Sequence, residues 1–297
     1  MSSRPDDPYA SRPWLETETY VPVELVPTAE DETSQRVPVL AIILFLATCA
    51  STYSVGGLAY AVPMMGILLC HEFGHYIQAR RYHVPASLPY FIPMPISPLG
   101  TMGAVIGMRG HMGNRKALFD IGISGPLAGL VPTLICCVIG LSWSSVGEIP
   151  ENLSRGSVLM FGEPLLFKGL EYFYFGPLTE GQTVFVHPLA FAGWVGVFLT
   201  ALNLIPIGQL DGGHVLYALL RNKAHAVAWF LLIAAFVGVI VAQHYEWTLM
   251  LFLLVMMGPS HPPTANDDMS LGRGRIILGW LTLAFVIIGF TPTPFIQ

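Results

Sequence analysis

The sequence predicts an all-α, polytopic membrane protein of about six to seven transmembrane helices, with one small β-element around residues 101–109 between the second and third spans. Three observations lead there. Hydrophobic residues make up 53% of the chain and charged residues only 11%, whereas a soluble domain carries about 25% charged residues. Mean hydropathy is +0.60. The apolar residues are gathered into runs near the length of about 20 residues that a bilayer requires, and the loops between them hold most of the Lys and Arg.

In chain order, residues 1–36 carry eight acids, three arginines and five prolines, the composition of a disordered acidic tail. Their polar, acidic opening lacks the basic and apolar regions of a signal peptide, so targeting falls to the first membrane helix. Val37 to Ser54 is the first expected span and Tyr60 to Ala79 the second, stopped by Arg80 and Arg81. From Tyr82 to Lys116 the chain reads as non-helical. Five prolines between Pro85 and Pro98 mark a loop, and the glycine-spaced, partly β-branched run Thr101 to Met108 suits a strand or hairpin.

Ala117 to Leu141 is the third span, its start rich in small residues that let helix backbones approach closely. Ser142 to His187 is a polar, aromatic-bearing insert, too short for an ordinary globular domain; its Asn152-Leu153-Ser154 matches a glycosylation acceptor, a tripeptide too common to argue from. Leu189 to Leu204 is the fourth span. It runs into Pro206 and Gly208, which interrupt a helix that otherwise continues to Leu220, and such breaks at membrane depth occur where backbone lines a polar cavity. Ala224 to Ala242, a short Trp247 to Met257 and Ile276 to Thr291 complete the series, with a hydrophilic loop from Gly258 to Arg275.

Charge fixes an expected orientation. Of the 14 basic residues, only Arg155 and Lys168 fall outside if the N-terminus is cytoplasmic, which follows the positive-inside rule and puts the tail and the active-site loops inside and the 142–187 insert outside. The net charge of −5 and the scattered basic residues leave no footprint for nucleic acid. Cys49, Cys70, Cys136 and Cys137 all lie in apolar runs and read as small buried hydrophobes rather than a disulfide framework.

The chemistry concentrates in Cys70-His71-Glu72-Phe73-Gly74-His75. Residues four apart share a helix face, so His71 and His75 can hold one metal ion, while Glu72, turned about 100° away, suits a general base acting on water. A chance H-E-x-x-H is expected in roughly one such chain in a hundred. Three such groups inside an apolar span are costly without a metal or other partners. A catalytic zinc takes three protein ligands and leaves one position open. Asp211, His214, His187 and Asp120 are the candidates for the third ligand; Asp211 sits at the helix break, and spacing does not separate it from His214.

These residues resemble the site-2 protease family of intramembrane zinc metalloproteases. His71-Glu72-Phe73-Gly74-His75 is similar to the family's zinc motif, Asn203, Pro206 and Leu210-Asp211-Gly212 to its second motif, and Gly125-Pro126 to the glycine-proline element between them. The resemblance covers roughly residues 58–220 and implies a membrane-embedded metalloprotease domain over 37–297. It implies Zn2+ held by His71, His75 and Asp211, Glu72 as base, and Asn203 as a contributor to oxyanion stabilisation. It also implies hydrolysis of transmembrane protein substrates within the lipid bilayer, as in regulated intramembrane proteolysis. The chain departs from the family pattern at Gly129, where an Asn often stands, and in its short insert, which is unlike a PDZ domain. A metal transporter and a catalytically inactive scaffold are the competing classes; the first needs ligands along a route, and the second has no use for Glu72. A further expectation is that Thr101 to Met108, as an edge strand, holds an unwound substrate by its main chain.

Overall fold

The computed structural model describes residues 30–108, 114–148 and 160–296. The expectations for most of the acidic tail, for Arg109 and Arg155, and for the acceptor at Asn152 fall outside these residues. The chain divides into two units, Met1–Pro38 and Val39–Gln297; in the first, Glu30–Pro38 are helical.

The chain is mostly helical. Helix α1 (Glu30–Arg81) is followed by strands β1 (Tyr90–Met94) and β2 (Gly100–Val105), then by α2 (Arg115–Ser142) and β3 (Ser145–Glu148). Next come β4 (Met160–Phe161), α3 (Leu165–Phe175), β5 (Gln182–Phe185), α4 (Pro188–Asn203), α5 (Asp211–Leu220) and α6 (Lys223–Ala242). A 3-10 turn (Tyr245–Trp247) leads into α7 (Thr248–Met257), α8 (Arg273–Gly289) and β6 (Phe295–Ile296). Three helical stretches, Val39–Arg81, Arg115–Ser142 and Lys223–Ala242, are long and apolar enough to cross a membrane, and Pro188–Asn203 and Tyr245–Met257 are shorter apolar helices.

The two expected N-terminal spans form one continuous element with a break at Gly56 and Gly57. Gly57 adopts φ 63°, the left-handed region open to glycine. A side chain on Gly56 would meet Tyr60 Cβ at 2.6 Å. The β-element is a hairpin in which β1 pairs antiparallel with β2. Its first strand corrects the expectation of a plain loop before Thr101: the strand absorbs Pro93 at an irregularity between Phe91 and Pro93, where a missing donor is tolerated. The hairpin packs on both halves of α1, through Phe45 before the break, edge-on to Phe91, and Tyr60 after it, donating to Leu99 O at 2.6 Å.

Two more readings change. The insert is not simply polar, because β3 pairs with β5, β4 with β6, and α3 sends Phe167 into the main core. These pairs qualify the all-α expectation. Cys70 is exposed, on the outward side of α1, and Cys49 is only partly buried.

Helix α2 is the axis on which the site is assembled. Its seam with α4 matches small residues to backbone: a side chain on Gly193 would meet Cys137 N at 2.6 Å, and one on Gly196 would meet Thr133 Oγ1 at 2.5 Å. In lipid, where apolar surface gains little by association, such close approach supplies the packing attraction. At the start of α2, Asp120 accepts two hydrogen bonds from Arg275, Nε to Oδ1 at 2.7 Å and a terminal nitrogen to Oδ2 at 2.8 Å, and a third from Tyr82 at 2.5 Å. That clamp joins the ends of α1, α2 and α8.

Candidate metal centre

The second half of α1 brings His71 and His75 to one face, both buried, and the break after α4 returns the chain so that α5 begins at Asp211 beside them. His71 Nε2 lies 3.1 Å from Asp211 Oδ2, His75 Nε2 lies 3.2 Å from Asp211 Oδ1, and the two Nε2 atoms are 3.2 Å apart. Tetrahedral zinc with bonds of about 2.0–2.1 Å separates its ligand atoms by about 3.3 Å. The three side chains therefore match zinc in donor type, and their separations, measured to the two oxygens of Asp211, are close to that spacing.

Hydrogen bonding supports the same conclusion. His75 Nδ1 lies 2.8 Å from Ile121 O; a carbonyl only accepts, so the proton of neutral His75 is on Nδ1 and Nε2 presents its lone pair to the carboxylate. Two lone pairs facing each other in a buried site call for a cation between them. The Ile121 contact is also the support that a ligating imidazole characteristically receives on its far nitrogen.

Glycines shape the cradle. A methyl on Gly125 would lie 2.5 Å from His75 Cε1 and closer still to Nε2, and one on Gly129 would lie 3.0 Å from His71 Cβ. A methyl on Gly74 would lie 2.5 Å from Ser124 O. The glycine-proline element thus has a direct steric meaning, since it leaves room for the Nε2 edge of His75. Side chains on Gly212 and Gly213 would run into the carbonyls of Leu204 and Gly208, so the paired glycines after Asp211 let the broken segment fold back on α5. Asp211 is the first residue of α5, where the helix dipole favours a carboxylate. Arg115 holds the other end of α5 by donating to the carbonyls of Ala218 and Leu219.

The remaining sequence candidates separate cleanly. Glu72 is buried beside the pair, and Asn203 Nδ2 stands 3.5 Å from His71 Nε2. His187 caps α4, its Nδ1 accepting from Leu189 N at 3.1 Å. Asp120 is engaged by Arg275 and Tyr82. His214 is engaged by His261, with Nδ1 2.7 Å from His261 Nε2. An apolar cavity of about 500 Å³, lined by Ile205, Ile207, Val239, Trp247 and Leu254 among others, contains none of the three ligand candidates. Sequence reasoning missed Ile121, whose contribution is a backbone carbonyl and leaves no side-chain signal, and His261, discussed below.

A family model described as Peptidase family M50 matches residues 59–242, which includes His71, Glu72, His75, Asn203 and Asp211. The Arabidopsis thaliana protein named "Probable zinc metalloprotease EGY1, chloroplastic" is 31% identical over 79% of this chain and 42% of its own length. Its Oryza sativa subsp. japonica namesake is 36% identical over 54% of this chain and 27% of its own. The Arabidopsis thaliana "Probable zinc metalloprotease EGY2, chloroplastic" is 28% identical over 75% and 40%. The chain spans roughly two-fifths or less of the length of these curated relatives. No solved structure matches it. With its motifs, the converging side chains and a family match over most of its length all in agreement, the chain belongs to peptidase family M50, the site-2 proteases.

Proposed function

We propose that this protein is an intramembrane zinc metalloendopeptidase that hydrolyses peptide bonds in or near transmembrane segments of other membrane proteins. The observation that carries the reading is the buried triad of His71, His75 and Asp211 with separations of 3.1–3.2 Å and Glu72 beside it. The names of the relatives, zinc metalloproteases, support the same chemistry.

In this reading His71, His75 and Asp211 would hold Zn2+, which would supply Lewis-acid chemistry toward a water and the scissile carbonyl. Glu72 takes a proton from the attacking water as the oxygen–carbon bond forms, and passes it to the departing nitrogen as the carbon–nitrogen bond breaks. Asn203 donates its amide N–H to the oxygen on which negative charge develops. Burial of Glu72 excludes bulk water from this transfer. Glu72→Gln is the test: in proteoliposomes containing a transmembrane substrate the variant should keep stoichiometric zinc and lose cleavage, and retained cleavage would rule out the mechanism.

We also infer six to seven spans: α1 crossing twice through its glycine break, α2, α4, α6 and α8, with the short α7 as the seventh. The N-terminus and the active-site loops are cytoplasmic, and the 142–187 insert faces the opposite side. The twelve-to-two division of basic residues supports this map. In a cysteine-free variant, single cysteines at Ser157 and Gly110 should label from opposite sides of the membrane; labelling from one side overturns it.

A further inference from the structure

The stretch Gly258–Leu271, between α7 and α8, has no regular secondary structure, and it lies beyond the residues matched to the family. A hydrophilic connection of this kind is ordinarily a solvated loop. Here it is bound closely to α5. Pro259 O accepts from Gly208 N at 3.1 Å, just before the start of α5. Asp267 Oδ2 accepts from the Tyr217 hydroxyl at 2.8 Å, and Asp267 O accepts from Arg221 Nε at 2.9 Å. Asn266 O accepts from Arg115 N at 3.1 Å. Thr264 donates to Asp267 Oδ1 at 2.6 Å, aligning the carboxylate for Tyr217.

At the centre of this strap is His261, which is buried at 6% exposure. Its ring stacks on Tyr217, centroids 4.7 Å apart and planes 26° apart, and its carbonyl accepts from His225 Nε2 at 3.0 Å. Its Nδ1 lies 2.5 Å from Pro262 O, so that nitrogen carries the proton and Nε2 is an acceptor. His214 Nδ1–H must then be the donor of the 2.7 Å bond to His261 Nε2. On its other side His214 is pressed against α2: a side chain on Gly122 would meet His214 Cβ at 2.8 Å. Gly122 directly follows Ile121, whose carbonyl orients His75. One turn of α5 separates His214 from Asp211.

We propose that the Gly258–Leu271 strap sets the position of Asp211, acting through the hydrogen bond from His214 to His261, so that His214 and His261 are positioning residues for the metal centre. Asp211 has a short support of its own. Its helix is only ten residues long, and Leu210 gives no side-chain cap. The His214–His261 bond locks the rotation of α5 about its axis at the turn next to the carboxylate, wedged between α2 and the strap. The inference rests on the reading of His71, His75 and Asp211 as zinc ligands.

The test uses the full chain purified in detergent, with zinc affinity measured by chelator competition and the visible spectrum recorded after replacement of zinc by Co2+. His261→Phe keeps the stack on Tyr217 and removes the acceptor; His261→Gln restores an acceptor at the end of a side chain of similar reach. In His261→Phe the Co2+ spectrum should change and zinc affinity should fall by about 10- to 100-fold, the usual range for loss of an outer support, and His261→Gln should recover most of both. Wild-type spectrum and affinity in His261→Phe, or a Gln variant no better than Phe, overturns the proposal. Asp267→Asn loosens the strap from Tyr217 without touching either imidazole. It should shift the spectrum less, in the same sense, and it decides the matter if His261→Phe does not purify: an unchanged spectrum then removes the strap from the site. Failure of the ligand reading looks different, because the wild-type chain would then hold no zinc or His75→Ala would hold as much.

Discussion

Gly125→Ala is a one-carbon change to a residue that ligates nothing, and the geometry makes it a severe test of the metal centre. The added methyl would stand 2.5 Å from His75 Cε1, whereas carbon atoms in contact settle at about 3.5 Å or more. The imidazole or α2 must therefore move by about 1 Å, while a functioning metal site tolerates ligand displacements of only about 0.2 Å. Neither partner is free to move. Rotation of the ring breaks the 2.8 Å bond from Nδ1 to Ile121 O, and retreat of α2 opens its glycine-lined seam with α4. Zinc affinity should fall by at least about 100-fold, beyond the loss of an outer support, because a ligand itself is displaced. Chelator competition on the purified chain measures it. Gly66→Ala is the control in α1, since nothing lies within 4 Å of its added methyl, and it should bind zinc as the wild type does. Wild-type affinity in Gly125→Ala would refute the steric account of the glycine-proline element.

Two further outcomes can be stated. If β2 holds extended substrate, Val105→Pro, which deletes a backbone donor on that strand, should abolish cleavage with normal zinc content; a folded, zinc-loaded and fully active variant removes the strand from the mechanism. In the insert, burial and a carboxyl contact with Glu163 push Glu171 up from 4.5 to about 8. The folded form then binds more protons than the unfolded one between these values, so the stability supplied by this pair is complete below about pH 4.5 and is lost as pH rises through about 8. Melting temperature across that range should decline more steeply in the wild type than in Glu171→Gln, and parallel profiles would contradict the assignment.

Hydrophobic run length located the helices well. The expected Ala117 to Leu141 became Arg115–Ser142, and Ala224 to Ala242 became Lys223–Ala242, because in these segments a single physical requirement, apolar length, dominates. The histidine pair was also legible, since an i, i+4 spacing is a geometric statement in itself. What escaped depends on tertiary context. Strand β1 contains Pro93, and proline argues for a loop unless a partner strand accommodates the missing donor, which a local pattern does not reveal. The insert reads as polar, yet Phe167 of α3 finds a place in the core. The third ligand candidate was left open among four residues, and only the partners of His187, Asp120 and His214 separate them. His261 has no local signature: it is a histidine between Ser260 and Pro262 in a hydrophilic stretch, and its significance comes from a residue 47 positions earlier.

The clamp at Asp120 also bears on the order in which the protein can be completed. Synthesis runs from N- to C-terminus, so His71, His75 and Asp211 have all been made by residue 211, while the cationic partner of Asp120 arrives only with Arg275, 155 positions after it. A carboxylate with only a hydroxyl donor and no countercharge is expensive to bury. On the proposed membrane map, the start of α2 should stay hydrated until α8 emerges, which should delay the closing of the cradle that α2 provides through Ile121 and Gly125. On that map α8, which carries none of the three candidate ligands, should set when their cradle is completed.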